Sequence, residues 1–255
     1  MDLGLVGRRA LVGGGGSGIG GGIAAALAGE GARVALIGRT RERIELEAAR
    51  LGGAPVVADL STPDGPQGAV DAAVAAMGGL DLLVVNTGGP PAGTFDTLGE
   101  AEWTTAIDGT LQSVLRLLRA ALPRLRDGQD PAILIVLSSS VREPIASLTT
   151  SNVLRPGLAG LVKSLTAEIA PIRINGLAPG RIATDRIRFL DGKRAEATGI
   201  TPEEVARRVQ ATIPLGRYGD IVEIGRVGAF LLSPAASFVT GAIVPVDGGM
   251  VRALP

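Results

Sequence analysis

Apolar and polar positions fall into two alternating regimes along the chain. Short, nearly continuous apolar runs occur at Arg9–Gly13, Arg33–Ile37, Ala54–Ala58, Asp81–Val85, Ile133–Leu137, Ile172–Leu177 and Ala242–Val246. These runs are too short for buried helices and rich in Val, Ile and Leu, which predicts strands covered on both faces. Between them lie longer stretches of helical character. They are an Ala-rich Ile19–Gly29, a charged amphipathic Arg41–Leu51, Gly65–Met77 and a long Glu100–Leu122. A further helix from Leu148 must end before Pro171, which has no N–H to give. Strand–helix alternation calls for βαβ units with right-handed crossovers. The expected fold is α/β: a Rossmann-type, doubly wound, seven-stranded parallel sheet with helices on both faces. No charged linker or compositional break interrupts residues 1–255, so one domain is expected.

In such sheets ligands gather beyond the carboxyl ends of the strands. The first run is followed by Gly13-Gly-Gly-Gly-Ser-Gly-Ile-Gly20, opening directly into a helix. Glycines tolerate positive φ and close backbone approach, and the helix N-terminus offers free N–H groups to a pyrophosphate. Gly14, Ser17, Gly18, Ile19 and Gly20 are the candidate phosphate residues. The second strand ends Ile37-Gly38-Arg39, where an NAD-preferring site carries an acid on the ribose hydroxyls. Arg39 instead suits the extra phosphate of NADP, so NADP(H) is favoured over NAD(H). Asp59, after the third strand, either caps its own turn or accepts from an adenine amino group.

Composition narrows the partners. Hydrophobic residues make up 46% of the chain and aromatics only 2%, so the core must be Ala, Val, Leu and Ile, which suits closely packed helices. With 25 basic and 25 acidic residues and no basic block, nothing points to nucleic acid or to an anionic membrane surface. The absence of Cys and His removes disulfides, thiol nucleophiles and the usual zinc ligands. No apolar run is long enough to span a bilayer, and a cytoplasmic protein acting on a small molecule is expected.

Taken in order, these pieces resemble the short-chain dehydrogenase/reductase family over essentially the whole chain. The spacing of Gly14, Gly18 and Gly20 resembles that family's turn, and Asp59-Leu60 its adenine-contact pair. Asn86-Thr87-Gly88 stands where the family has Asn-Ala-Gly, and Leu137-Ser138-Ser139 resembles the serine ending the fifth strand. Arg173 to Pro179-Gly180, with Ile182 and Thr184, resembles the segment passing the nicotinamide. Pro214–Arg217 and Thr240–Gly249 resemble the C-terminal signature. The resemblance implies hydride transfer between NAD(P)H and a carbonyl or alcohol. Within the family the chain is most similar to 3-oxoacyl-(acyl-carrier-protein) reductases, which implies an NADP-linked homotetramer. The long helices and the apolar tail Met250-Val-Arg-Ala-Leu254-Pro255 also look for cover.

One departure bears on chemistry. The family protonates the developing alkoxide with a Tyr whose pKa is lowered by a Lys four residues later; a Ser orients the substrate and an Asn lies on the preceding long helix. Aligned on Leu161–Glu168, the Tyr position reads Ser151, the Lys position Arg155 and the Asn position Thr110. Only the serine survives, at Ser138 or Ser139. The single tyrosine, Tyr218, lies far beyond. Arg155 can hold a ribose and stabilise an oxyanion, but with an ordinary pKa above about 12 it is a poor acid. Ser151 can relay a proton from water, and Glu143 can donate one only if buried and shifted; beside Arg142, a surface ion pair is the plainer expectation. Two readings follow: a reductase with an altered proton relay, or a dinucleotide-binding sensor or partner subunit that has lost the chemistry. Residues 181–212 resemble the family's variable substrate lid, with helical stretches flanking Gly192 and Gly199. Its cations, Arg186, Arg188, Lys193, Arg194, Arg207 and Arg208, are expected to be offset by neighbouring acids.

Overall fold

In a computed structural model, residues 2–253 are described; the Leu254-Pro255 end of the apolar tail lies outside them. Strands β1 (Arg9–Gly13), β2 (Arg33–Gly38), β3 (Ala54–Val57), β4 (Leu82–Val85), β5 (Ala132–Val136), β6 (Arg173–Pro179) and β7 (Ile243–Val246) form one parallel sheet. Their order is β3-β2-β1-β4-β5-β6-β7. The order reverses between β1 and β4, which opens a crevice at their carboxyl ends.

Alternation along each strand divides the core. Leu11, Leu83, Ile133 and Ile135 point to one face, where they pack with α3 (Gly65–Met77), α5 (Ser113–Arg126) and α6 (Thr149–Glu168). Ala10, Val12, Leu82, Val84 and Leu134 point to the other, against α1 (Gly18–Gly29), α2 (Arg41–Leu51) and α9 (Ile221–Leu232). The contact between α1 and α9 is close because a Cβ on Gly22 would lie 2.4 Å from the Ile221 carbonyl.

Three elements differ from expectation. The long helix begun at Glu100 is broken into α4 (Glu100–Ala106), a π turn over Ile107–Gln112, and α5. Apolar periodicity does not register one residue of slack in the hydrogen-bond ladder. The π turn places Thr110 inward. Helix α9 was not anticipated, although Asp220 and Glu223 form a capping box: Asp220 accepts from the Val222 N–H and donates its own N–H to Glu223 at 2.7 Å. In the lid, Gly192 lies inside α7 (Asp185–Thr198); only Gly199, with φ of 67°, breaks the chain before α8 (Pro202–Gln210).

At the amino edge of the sheet, Asp81 is buried between β1 and the turn before β5. Its oxygens accept from the Arg9 N–H at 2.8 Å, from Arg9 Nε and Nη2 at 2.9 and 2.7 Å, and from the Gln129 N–H at 2.8 Å. Burial opposes the charge, yet these donors outweigh it and hold the carboxyl below its ordinary range.

Candidate active site

The carboxyl ends of the strands open into one cleft of about 1040 Å³. Every candidate cofactor-binding or catalytic residue named from the sequence lines it except Gly20, which lies behind the turn. Gly20 shapes the wall: a Cβ there would sit 2.4 Å from the Gly14 carbonyl and 2.7 Å from Asn86 Nδ2. Gly14 has φ of 59°, and its own Cβ would strike the same amide. Asn86 Nδ2 donates to the Gly13 carbonyl at 3.1 Å, tying the end of β4 to the phosphate turn. Ser17 makes no capping bond at the start of α1.

The adenosine end carries Arg39, Asp59 and Leu60. Asp59 Oδ1 accepts from the Ser61 N–H and hydroxyl at 2.9 and 2.7 Å. These bonds, aided by the Arg39 charge, lower its pKa. Asp59 therefore caps its turn while still lining the cleft. Arg39 is exposed and free to meet a ligand. A second cation, Arg43, also faces this end, with Nη1 3.5 Å from Ser17 Oγ. Arg43, not singled out from the sequence, stands in the first turn of α2, which follows Arg39 directly.

At the other end, Ser138, Ser139, Thr110, Ser151 and Arg155 converge with Pro179, Gly180 and Thr184. Ser138 Oγ accepts from the Ser140 N–H at 3.1 Å. Ser140, the third serine of the run and also passed over, lies with its hydroxyl 3.1 Å from that of Ser151. Both hydroxyls are buried. Thr110 is buried with an unpartnered hydroxyl.

Arg155 is only 6% exposed. Its Nη1 donates to the Val136 and Leu137 carbonyls at 2.5 and 2.8 Å, while its Nε finds no partner. Burial, reinforced by the like charge of Arg186, pushes its pKa down to about 10. The group is thus less reluctant to release a proton than an ordinary arginine, yet it is the cation at neutral pH.

Glu143 makes no ion pair with Arg142. Its Oε1 accepts from the Arg252 and Ala253 N–H groups at 2.7 and 2.8 Å, so the carboxylate clasps the C-terminal segment against the cleft rim. The lid cations are largely offset as expected. Arg188 pairs with Asp185, Lys193 with Glu196, and Arg207 and Arg208 with Glu204. Arg181 pairs with the buried Asp191, which also accepts from Tyr218 at 2.8 Å. Arg186 and Arg194 meet no carboxylate among the described residues; Arg194 is exposed to solvent, whereas Arg186 turns inward.

Comparison with known proteins fits this geometry. Residues 14–251 match the sequence model of a family described as enoyl-(acyl carrier protein) reductase. The chain is 34% identical over 253 residues to nodulation protein G of Rhizobium sp. (strain N33), covering 96% of this chain and 98% of the relative. It is 31% identical over 252 residues to the 3-oxoacyl-[acyl-carrier-protein] reductase of Vibrio cholerae, covering 97% and 99%. Among solved structures, L-sorbose reductase from Gluconobacter frateurii, complexed with NADPH and L-sorbose, superposes with a TM-score of 0.94 at 28% identity over 100% of both chains. An NADPH-bound short-chain oxidoreductase from Pseudomonas aeruginosa PAO1, described as containing an atypical catalytic center, superposes with a TM-score of 0.86 at 29% identity over 98% and 99%. No helix among the described residues is long and apolar enough to cross a membrane. Sheet order, phosphate turn and these matches agree: the chain belongs to the short-chain dehydrogenase/reductase family, whose members here are oxidoreductases.

Proposed function

We propose that the protein is an NADP(H)-dependent oxidoreductase that interconverts a carbonyl and an alcohol through an altered proton relay. The turn fits a dinucleotide, since Gly14 and Gly20 let it fold tightly against the Asn86 amide, which a Cβ on either would strike, and the N-terminus of α1 at Gly18 and Ile19 lines the cleft, where it suits a pyrophosphate. Arg39 and Arg43 flank the adenosine end and suit a 2′-phosphate. The NADPH carried by the two structural relatives above supports the same assignment. When bound, NADPH supplies a hydride to the carbonyl carbon; the chain's own groups attend to the oxygen and the ribose.

The observation that carries the proposal is Arg155, a buried cation with an idle Nε beside the Ser140–Ser151 hydroxyl pair. Its Nη1, fixed by two carbonyls of β5 and the residue after it, holds the guanidinium plane in the cleft wall. A fixed cation of this kind stabilises negative charge on a substrate oxygen. Ser151 passes a proton inward from Ser140 and water, and Ser138 orients the substrate. Thr110, on the π turn, offers its free hydroxyl to the same space.

The test is NADPH binding by calorimetry followed by turnover on a panel of small carbonyls, with Ser151→Ala and Arg155→Met beside the parent. Turnover in the parent that falls in both variants is the expected result. A parent that binds NADPH but turns over nothing, while Ser151→Tyr with Arg155→Lys gains activity, would establish the sensor reading instead. We also propose a homotetramer with residues 181–212 as its substrate lid; the fully exposed Phe238 and half-exposed Val153 favour buried subunit contacts. Light scattering decides this, and a monomer at micromolar concentration overturns it.

A further inference from the structure

The two cations at the reacting end are out of keeping with the rest of the molecule. Elsewhere, buried or half-buried charge is answered in full: Asp81 by Arg9, Asp191 by Arg181 and Tyr218, and Arg8 by Asp130, while Arg173, whose partners are also backbone carbonyls, has four of them, at Leu231, Leu232, Ser233 and Val239. Arg155 and Arg186 line one cleft, each is withdrawn from water, and each is answered only by backbone carbonyls. Arg186 Nη2 donates to the Pro90 carbonyl at 2.8 Å, and the guanidinium lies 5.7 Å from the centre of the Phe189 ring. Burial lowers the pKa of Arg186 as well. A cation taken from water into a partly dry cleft is unfavourable unless an anion joins it. Of the acids lining the cleft, Glu143 has one oxygen committed to the C-terminal segment, Asp185 pairs with Arg188, and Asp59 is bonded within its own turn.

The position of Arg186 says which end of the cleft lacks its anion. Pro90 precedes Pro91, whose carbonyl accepts from Thr150 at 2.9 Å, and Thr150 adjoins Ser151 on α6. Arg186 therefore reaches from the lid helix to the loop that abuts the proton-relay serine. From these contacts we infer that the substrate carries a carboxylate, held by Arg186, with the carbonyl to be reduced directed to Ser151 and Arg155. The guanidinium fork matches a carboxylate in two parallel hydrogen bonds. The class is an oxo acid, reduced to the corresponding hydroxy acid. The C=O π bond opens as its carbon takes a hydride from NADPH, and the oxygen takes a proton that water replaces, leaving NADP⁺.

This inference rests on the proposed oxidoreductase reading, and the experiment separates their failures. Small 2-oxo and 3-oxo acids and their methyl esters are compared as substrates with NADPH, for the parent, Arg186→Gln and Arg186→Leu. In parallel, binding of the matching hydroxy acids to the parent–NADPH complex is measured by calorimetry. The parent should prefer acids over esters in kcat/KM, and both variants should lose that preference by about 10- to 100-fold, through KM. Hydroxy-acid binding should weaken by a similar factor, with the NADPH Kd unchanged. Equal use of acids and esters by the parent overturns the inference while leaving the oxidoreductase reading intact. If no carbonyl is reduced but hydroxy acids bind in an Arg186-dependent way, the ligand class stands and the activity falls. A raised NADPH Kd in both variants with the acid preference retained would assign Arg186 to the cofactor diphosphate and overturn the inference.

Discussion

The two edges of the sheet treat buried charge in opposite ways. At the amino edge, Asp81 is surrounded by donors from Arg9 and Gln129, and no oxygen is left idle. At the carboxyl edge, Arg155 is as deeply buried, yet its Nε is unpartnered and its charged neighbour, Arg186, has the same sign. One arrangement contributes to stability by completing its hydrogen bonds within the chain. The other leaves them incomplete and depends on something that binds. The difference marks the carboxyl edge as the place where a bound group would complete hydrogen bonds that the chain leaves open.

Substitution should break this comparison most visibly at Arg155. Arg155→Met is expected to lower kcat/KM for carbonyl reduction by about 10²–10³, as removal of an oxyanion-stabilising donor does elsewhere. Its unfolding free energy should stay level or rise, because an uncompensated buried charge has been exchanged for an apolar side chain. A urea melt and steady-state kinetics on one preparation check both halves. A variant that is both inactive and badly destabilised would make Arg155 structural.

Asp81→Ala should do the reverse. Loss of its bonds, discounted because Arg9 is partly exposed and can turn to water, should cost about 2–4 kcal/mol in a urea melt. NADPH binding to the folded protein should be retained. The same carboxylate gives a pH test. Its folded pKa is depressed, so its stabilising contribution is present above the unfolded value of about 3.9 and is lost as pH falls through the folded value. The stability gap between parent and Asp81→Asn should therefore narrow below about pH 4. A gap independent of pH would deny the carboxylate its role.

The smallest expected effect lies at the exposed adenosine end. Arg39→Ala should weaken NADPH binding by about 1–3 kcal/mol and leave NADH binding nearly unchanged. Arg43, in the first turn of α2, would share that phosphate and keep the loss towards the lower figure. Calorimetric titration of both cofactors reads it, and equal NADPH and NADH affinities in the parent would remove the premise.

The strands were legible because each is a nearly continuous apolar run, as in Asp81–Val85, broken in β6 only by the buried Asn175, and parallel sheets bury both faces. The cleft was legible because those runs end at Gly14, Arg39, Asp59, Asn86 and Ser138, and topology gathers strand ends together. Other features depend on contacts that spacing does not carry. The π turn at Thr110 inserts one residue into a helix whose apolar stripe continues through it. Glu143 found its partners in backbone N–H groups at Arg252 and Ala253, over a hundred residues away. Arg186 looked like one more lid cation among acids. Its helical neighbours Asp185 and Arg188 pair with each other, leaving it to turn inward.

The Tyr218 hydroxyl, bonded to Asp191 in the middle of α7, provides an intrinsic optical probe. The chain has a single tyrosine. Burial, together with the carboxylate, raises its pKa, so while α7 is seated the phenol stays un-ionised at pH values where a free tyrosine becomes phenolate. Separation of α7 from the Tyr218 turn returns the phenol to water and to its ordinary titration near pH 10. Alkaline ultraviolet difference spectra, with and without NADPH, would therefore follow the seating of α7 with no label attached.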